Sequence, residues 1–219
     1  MGICTQEYWK FAYICDKMDA GFFYWPACSA CFYMKYETVL ERQIGEMKNI
    51  TVKDIVNATG GFLLCGDEDT PITGLCIDSR KAQAGDLFIP LLGNKVDGHR
   101  FIEPAMERAS ATLTSEHDNV VISEKPFIRV DDTMKALQAI GKDIRGRYDI
   151  PYIGVTGSVG KTTTREMIAA AVGTGRHCFQ TNGNENSQIG VPMTLSRMTD
   201  GYDAAVIEMG ISEPGQMEI

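Results

Sequence analysis

The sequence predicts an α/β protein, a small mixed α/β domain over residues 47–131 followed by the first part of a P-loop-type parallel-sheet domain over 132–219. Three observations predict it. Apolar runs of strand length alternate with longer amphipathic runs of helix length between Phe62 and Glu208. A glycine-rich turn joins an apolar run at 152–155 to an amphipathic run at 162–172. Hydrophobic residues make up 44% of the 219, enough for a packed core and too many for wholesale disorder.

Taken in order, residues 1–46 stand apart as an extension. They hold 11 of the 19 aromatic residues and four of the seven cysteines: Cys4, Cys15, Cys28 and Cys31. The Cys28-x-x-Cys31 pair fits half a zinc site or a redox pair, but no histidine lies near it and its spacing to Cys4 and Cys15 matches no common zinc module. Met47 opens a clean domain start. Thr51 is expected to cap a helix whose Val52, Ile55 and Val56 share one face, with Gly60-Gly61 as its stop. Strands are expected at 62–65, 74–77, 87–92, 111–114 and 127–130, with a helix at 101–109, giving a mixed sheet. Asp132 or Thr133 should cap a helix to about Arg147 that links the domains, with Met134, Leu137, Ile140 and Ile144 on its apolar face. A strand at 152–155, a helix at 162–172 stopped by Gly173 and Gly175, a strand at 177–180, a helix at 192–197 and a strand at 204–208 complete the chain. That βαβαβ order predicts a parallel sheet with right-handed crossovers.

Charge and cysteine usage exclude several classes. A net charge of -8 argues against a nucleic-acid binder, which needs a basic face. Seven cysteines without a framework spacing suggest reduced thiols. No run of 18 apolar residues is present, so no membrane insertion is expected. Lys10, Asp16, Lys17 and Asp19 interrupt any secretory apolar core, and Gln6 stands where myristoylation wants Ser or Thr. A cytoplasmic location follows by elimination, and a monomer is expected.

The strongest chemical signal is Gly157-Ser158-Val159-Gly160-Lys161-Thr162-Thr163, between an expected strand and an expected helix. Glycines permit a tight turn whose N–H groups converge on phosphate oxygens. The helix N-terminus adds partial positive charge. Lys161 would neutralise the β- and γ-phosphates as the catalytic cation, and the Thr162 hydroxyl would reach Mg²⁺. The strict motif fails in one place, because Val155 occupies its first glycine position. The plainer reading is a glycine-rich turn with Lys161 merely solvated.

This T-G-x-x-G-K-T run resembles the ATP loop of the Mur ligase family. Thr181-Asn182-Gly183-Asn184-Glu185-Asn186 followed by Ile189-Gly190-Val191-Pro192 is similar to a loop in the branch that adds D-Ala-D-Ala. Val206-Ile207-Glu208-Met209-Gly210 resembles the family's acidic strand end, and a carboxylate at that sheet edge makes Glu208 the second metal-binding candidate. Asp78-Ser79-Arg80, Gly85-Asp86-Leu87-Phe88, Gly93 and Asp97-Gly98-His99 resemble the family's first domain. The resemblance runs from Met47 to Ile219, with Ser110-Ala111 where the family has Gly-Ala. It implies a UDP-sugar-binding first domain in which Ser79 and Arg80 contact the diphosphate region, as donors suited to phosphate. His99 is either a turn residue or a ligand contact. It implies substrate contacts at Thr181, Asn184 and Asn186, with ATP and Mg²⁺ as cofactors.

The activity so implied is ATP-dependent ligation of D-Ala-D-Ala to UDP-N-acetylmuramoyl-tripeptide through an acyl phosphate, in peptidoglycan precursor synthesis. The third residue of the tripeptide is diaminopimelate or lysine. The family continues through further strands and a C-terminal domain, so these residues are expected to form an N-terminal part, with the ATP-binding domain truncated. The competing expectations are a non-catalytic fragment that binds nucleotide or UDP-sugar, a Mur ligase that adds a different amino acid, and another P-loop enzyme such as a small-molecule kinase.

Overall fold

The computed structural model describes residues 50–93, 96–116 and 123–211. The extension at 1–46, its cysteine pair and the start at Met47 lie outside the described residues. The chain enters on β1 (Ile50–Thr51), which pairs antiparallel with β3 (Pro71–Ile72). Helix α1 (Val52–Thr59) follows, with Val52 and Ile55 buried. The Asp54 carboxylate closes its first turn by accepting from the Thr51 N–H at 2.8 Å and the Thr51 hydroxyl at 2.9 Å. Gly60 ends it at φ 67°, a left-handed position that costs glycine nothing.

Five strands form the first sheet: β2 (Phe62–Cys65), β4 (Gly74–Cys76), β5 (Asp86–Phe88), β6 (Ala111–Thr114) and β7 (Phe127–Arg129). Their order is β2-β7-β6-β5-β4, with β4 to β7 parallel and β2 antiparallel on the edge. Alternation along each strand divides the side chains between two cores. Leu75, Leu87, Leu113 and Ile128 enter one core, shared with α1 and with α3 (Thr133–Gly146). Cys76, Phe88 and Phe127 enter the other, under α2 (Ile102–Met106). Helix α3 is capped by Asp132, whose carboxylate accepts from the N–H groups of Met134 (2.8 Å) and Lys135 (3.0 Å). It buries Ala136, Leu137, Ile140 and Ile144 in the first core, while Met134 stays half-buried.

A second sheet holds β8 (Tyr152–Val155), β9 (Cys178–Gln180) and β10 (Ala204–Glu208), with β10 central and parallel to both. Helix α4 (Lys161–Val172) covers one face, where Val155, Ala169 and Val206 pack. Helix α5 (Gly190–Leu195) covers the other with Phe179, Ala205 and Ile207. Helix α3 also packs on α5: an ideal Cβ on Gly141 would lie 2.7 Å from Pro192 Cβ, and Gln138 Nε2 donates to Gln188 Oε1 at 2.6 Å. This link is why α3 is shared by both halves.

Several elements differ from expectation. Strand β5 stops at Phe88 instead of reaching 92, because Pro90 has no N–H for a ladder. The helix expected at 101–109 is a 3₁₀ turn at Gly98–Phe101 followed by the short α2, since the Asp97 carboxylate caps the turn early. Helix α5 begins at Gly190, before Pro192, which a first helical turn tolerates. Among the described residues no helix is long and apolar enough to cross a membrane.

Candidate functional site

Strand β8 delivers the chain at the C-terminal edge of the second sheet, and the turn at 156–160 carries it into α4. Two glycines make that turn: Gly157 at φ 142° and Gly160 at φ 76°. Gly160 occupies the N-cap position and supplies no side chain, so the first N–H groups of α4 are left without a cap. An anion is the natural partner for such groups. The loop from Thr156 to Gly160 is exposed, and Lys161 is half-buried with its Nζ donating to the Gly157 carbonyl at 2.8 Å. That single bond to a neutral oxygen can be exchanged for a phosphate, because a charged partner makes the stronger hydrogen bond.

Strand β10 ends at Glu208, level with Val155 in the ladder. Its carboxylate is buried, and both oxygens have partners. Oε1 accepts from Asn186 Nδ2 at 2.8 Å and from the Thr162 hydroxyl at 3.4 Å. Oε2 lies 3.3 Å from Arg165 NH1. The Glu208 N–H donates to Thr181 Oγ1 at 2.8 Å, which ties the end of β9 to β10. The Gly210 N–H donates to the Asn186 carbonyl at 2.6 Å, which holds the loop after β9 against the end of β10. Asn184 is exposed on that loop, where its carbonyl accepts the Asn186 N–H at 2.8 Å.

One cluster thus unites Thr162, Thr181, Asn186 and Glu208 beside the glycine turn and Lys161. Ser158, Val159 and Thr163 sit on its exposed rim. The hydroxyl of Thr162 and the carboxylate of Glu208, 3.4 Å apart, are hard oxygen donors. They fit a Mg²⁺ ion, which binds through one or two protein oxygens and fills its shell with phosphate and water. Arg165 is the member that reading the sequence missed. The available signal was a cation four residues after Lys161, on the same helix face.

Ser79 and Arg80 form a separate place, on a 3₁₀ turn (Ser79–Lys81) after β4. The Arg80 guanidinium folds back on Asp78, with Nε to Oδ1 at 2.9 Å and NH2 to Oδ2 at 2.7 Å. The pair faces solvent, so a phosphate could compete for the same fork. Hydrogen bonding from Arg80 holds the Asp78 carboxyl down at about 2. His99 is placed differently. Its ring is buried, with Nδ1 2.7 Å from Asp97 Oδ1 and Nε2 accepting the Ser115 N–H at 3.0 Å. An amide N–H can only donate, so Nε2 is the acceptor and Nδ1 carries the proton. Asp97, His99 and Glu116 gather three ligand-type groups, but the imidazole lone pair is already used. His99 thus lies within the 3₁₀ turn with both ring nitrogens partnered.

Comparison with known proteins places this geometry in context. The model of the Mur ligase family, catalytic domain, matches residues 71–145, and that of the Mur ligase middle domain matches 155–219. The UDP-N-acetylmuramoyl-tripeptide–D-alanyl-D-alanine ligase of Bacillus subtilis is 40% identical over 171 residues, covering 77% of this chain and 37% of that protein. Its counterpart in Escherichia coli is 34% identical over 172 residues, covering 78% and 37%. Among solved structures, the diaminopimelate-tripeptide D-alanyl-D-alanyl ligase of Acinetobacter baumannii superposes with a TM-score of 0.68 at 30% identity, covering 75% of this chain and 37% of that one. The MurF ligase of Thermotoga maritima, solved in complex with ADP, gives 0.60 at 30% identity, covering 66% and 33%. The chain spans about a third of the length of these relatives.

Proposed function

The chain belongs to the Mur ligase family, and from that premise we propose that it serves the ATP-dependent addition of D-Ala-D-Ala to UDP-N-acetylmuramoyl-tripeptide in peptidoglycan precursor synthesis. The observation that carries the reading is the cluster in which the glycine turn, Lys161, Thr162, Asn186 and Glu208 converge at one sheet edge. On this reading residues 132–219 hold ATP and residues 47–131 hold the UDP-sugar, the latter through Ser79 and Arg80.

The chemistry needs a carboxylate made electrophilic. The tripeptide's terminal carboxylate oxygen takes the γ-phosphoryl group, forming an acyl phosphate and releasing ADP. The amine of D-Ala-D-Ala then attacks the acyl carbon, loses its proton, and expels inorganic phosphate to leave the amide. The loop N–H groups from Gly157 to Thr163 would cradle the phosphates. Lys161 would exchange the Gly157 carbonyl for phosphate oxygen and offset charge on the moving phosphoryl group. Thr162 and Glu208 would hold Mg²⁺, which supplies Lewis-acid charge neutralisation when bound. Asn184 and Asn186 would face the acceptor side, Asn186 set in place by Glu208. The protein's part is mainly positioning and fixed charge.

Binding of a fluorescent ADP analogue to wild type and to Lys161→Ala tests the loop. A hydrogen bond to a charged group contributes about 1.5–3 kcal/mol, so the variant should bind roughly 10- to 150-fold more weakly. Equal affinity would remove Lys161 from the site. Phosphate release that requires both the UDP-tripeptide and D-Ala-D-Ala is the matching activity assay. In a complete enzyme, Lys161→Ala should raise the barrier by about 3 kcal/mol or more.

A further inference from the structure

Arg165 sits one helical turn beyond Lys161 on α4, and its side chain is only 5% exposed. Its NH1 donates to the Gly183 carbonyl at 2.9 Å and lies 3.3 Å from Glu208 Oε2. Its Nε has no hydrogen-bond partner among the described residues. The surrounding helix face is apolar, with Ala169 packed on Val155 and Val206. A hydrophobic side chain would suit that face without the desolvation of two charges, and buried ion pairs are weak devices for stability. What the guanidinium provides and a hydrocarbon does not is orientation. A carboxylate that leans on Arg165 through Oε2 has its other oxygen turned to Thr162 and Asn186. The same guanidinium grips the backbone of the loop after β9 at Gly183.

We infer that Arg165 is a positioning residue that sets the Glu208 carboxylate for a divalent cation beside Thr162 and, through Gly183, locks the 182–186 loop to that cation site. The inference rests on the reading of Thr162 and Glu208 as cation holders. Residues that orient metal ligands typically matter for metal affinity by roughly 10- to 100-fold when lost.

The test measures two affinities on the whole chain. One is for the fluorescent ADP analogue in EDTA. The other is for Mn²⁺, read by electron paramagnetic resonance on ADP-saturated protein. For Arg165→Met the Mn²⁺ affinity should fall roughly 10- to 100-fold while the ADP affinity in EDTA is unchanged. Arg165→Lys keeps the charge, but its shorter side chain does not carry a nitrogen out to where NH1 meets both Glu208 and Gly183, so it should recover part of the loss. On a Glu208→Gln background, Arg165→Met should cause a much smaller further drop, because the part of its effect carried by that carboxylate is already gone. Unaltered Mn²⁺ affinity in Arg165→Met overturns the inference. So does an equal fall in both affinities, which marks a merely structural role, or a full second drop in the double variant. Should Arg165→Met fail to fold by circular dichroism, Arg165→Lys decides alone, and full Mn²⁺ affinity there overturns the inference. The premise fails separately: wild type that binds no ADP refutes the phosphate loop, and wild type that binds ADP but not Mn²⁺ refutes the cation site.

Discussion

Replacing Gly141 by alanine probes the contact between α3 and α5. An ideal Cβ at Gly141 would sit 2.7 Å from Pro192 Cβ and 2.9 Å from Pro192 Cα, closer than real Cβ atoms approach. A proline ring and a backbone carbon are stiff, so the helices would have to part. Overpacking costs about 1–3 kcal/mol, and stiff partners place this case near the upper end. Alanine gains about 0.8–1.0 kcal/mol over glycine in a helix interior, which opposes the clash. The net loss should be about 1–2 kcal/mol, lowering Tm by roughly 2–8 °C for a chain of this size. Gly146 is the control, in the same helix with nothing within 4 Å of its ideal Cβ. Gly146→Ala should therefore gain about 0.5–1 kcal/mol without penalty. Urea midpoints at unchanged slope read both effects. If Gly141→Ala proves as stable as Gly146→Ala, α3 and α5 are not so close, and the account of their packing is wrong.

Two further predictions concern ionisation. The Asp78 carboxyl is held at about 2, first by the Arg80 side-chain hydrogen bond. A folded value below the unfolded one contributes stability that is complete above about pH 4 and is lost as pH falls from about 4 toward 2. In Arg80→Ala a carbon-detected titration should find Asp78 moved back toward 3.8, and an unmoved value would contradict the pairing. Burial pushes the Cys178 thiol up to about 11, so little thiolate exists near pH 8. Iodoacetamide should alkylate Cys178 on the order of 10- to 100-fold more slowly in the native protein than in urea, as mapped by mass spectrometry, and equal rates would rule out that environment.

The sequence disclosed the longer elements because each carries its own period. Val52, Ile55 and Val56 mark one face of a helix without outside help, and the glycines at 60 and 157–160 mark where it must stop or turn. Strands β1 and β3 were not legible. Two residues are too few for alternation, and Ile50 and Ile72 become a ladder only when the chain returns. Within the site, the glycine turn, Lys161 and Thr162 declare themselves as a contiguous run. Arg165 does not, since a charged residue on an amphipathic helix reads as solvent-facing. Its burial comes from Glu208, 43 residues later. Thr181 has a partner that no local pattern announces: the register of β9 against β10 brings the Glu208 N–H to its hydroxyl oxygen. His99 offers both readings in the sequence, and the partners on its ring, Asp97 and Ser115, come into view only in the fold.

Helix α3 gives the molecule a property that no domain boundary at 131/132 would suggest. Its Leu137, Ile140 and Ile144 complete the core under the first sheet, while its Gly141 meets Pro192 of α5 and its Gln138 meets Gln188 just before that helix. Neither half can release this helix without disrupting the other. The two halves are therefore coupled as one cooperative folding unit, in which local opening at one sheet is felt at the other. A ligand that tightens the glycine turn would raise protection across the five-stranded sheet as well, with no direct contact between the two sites.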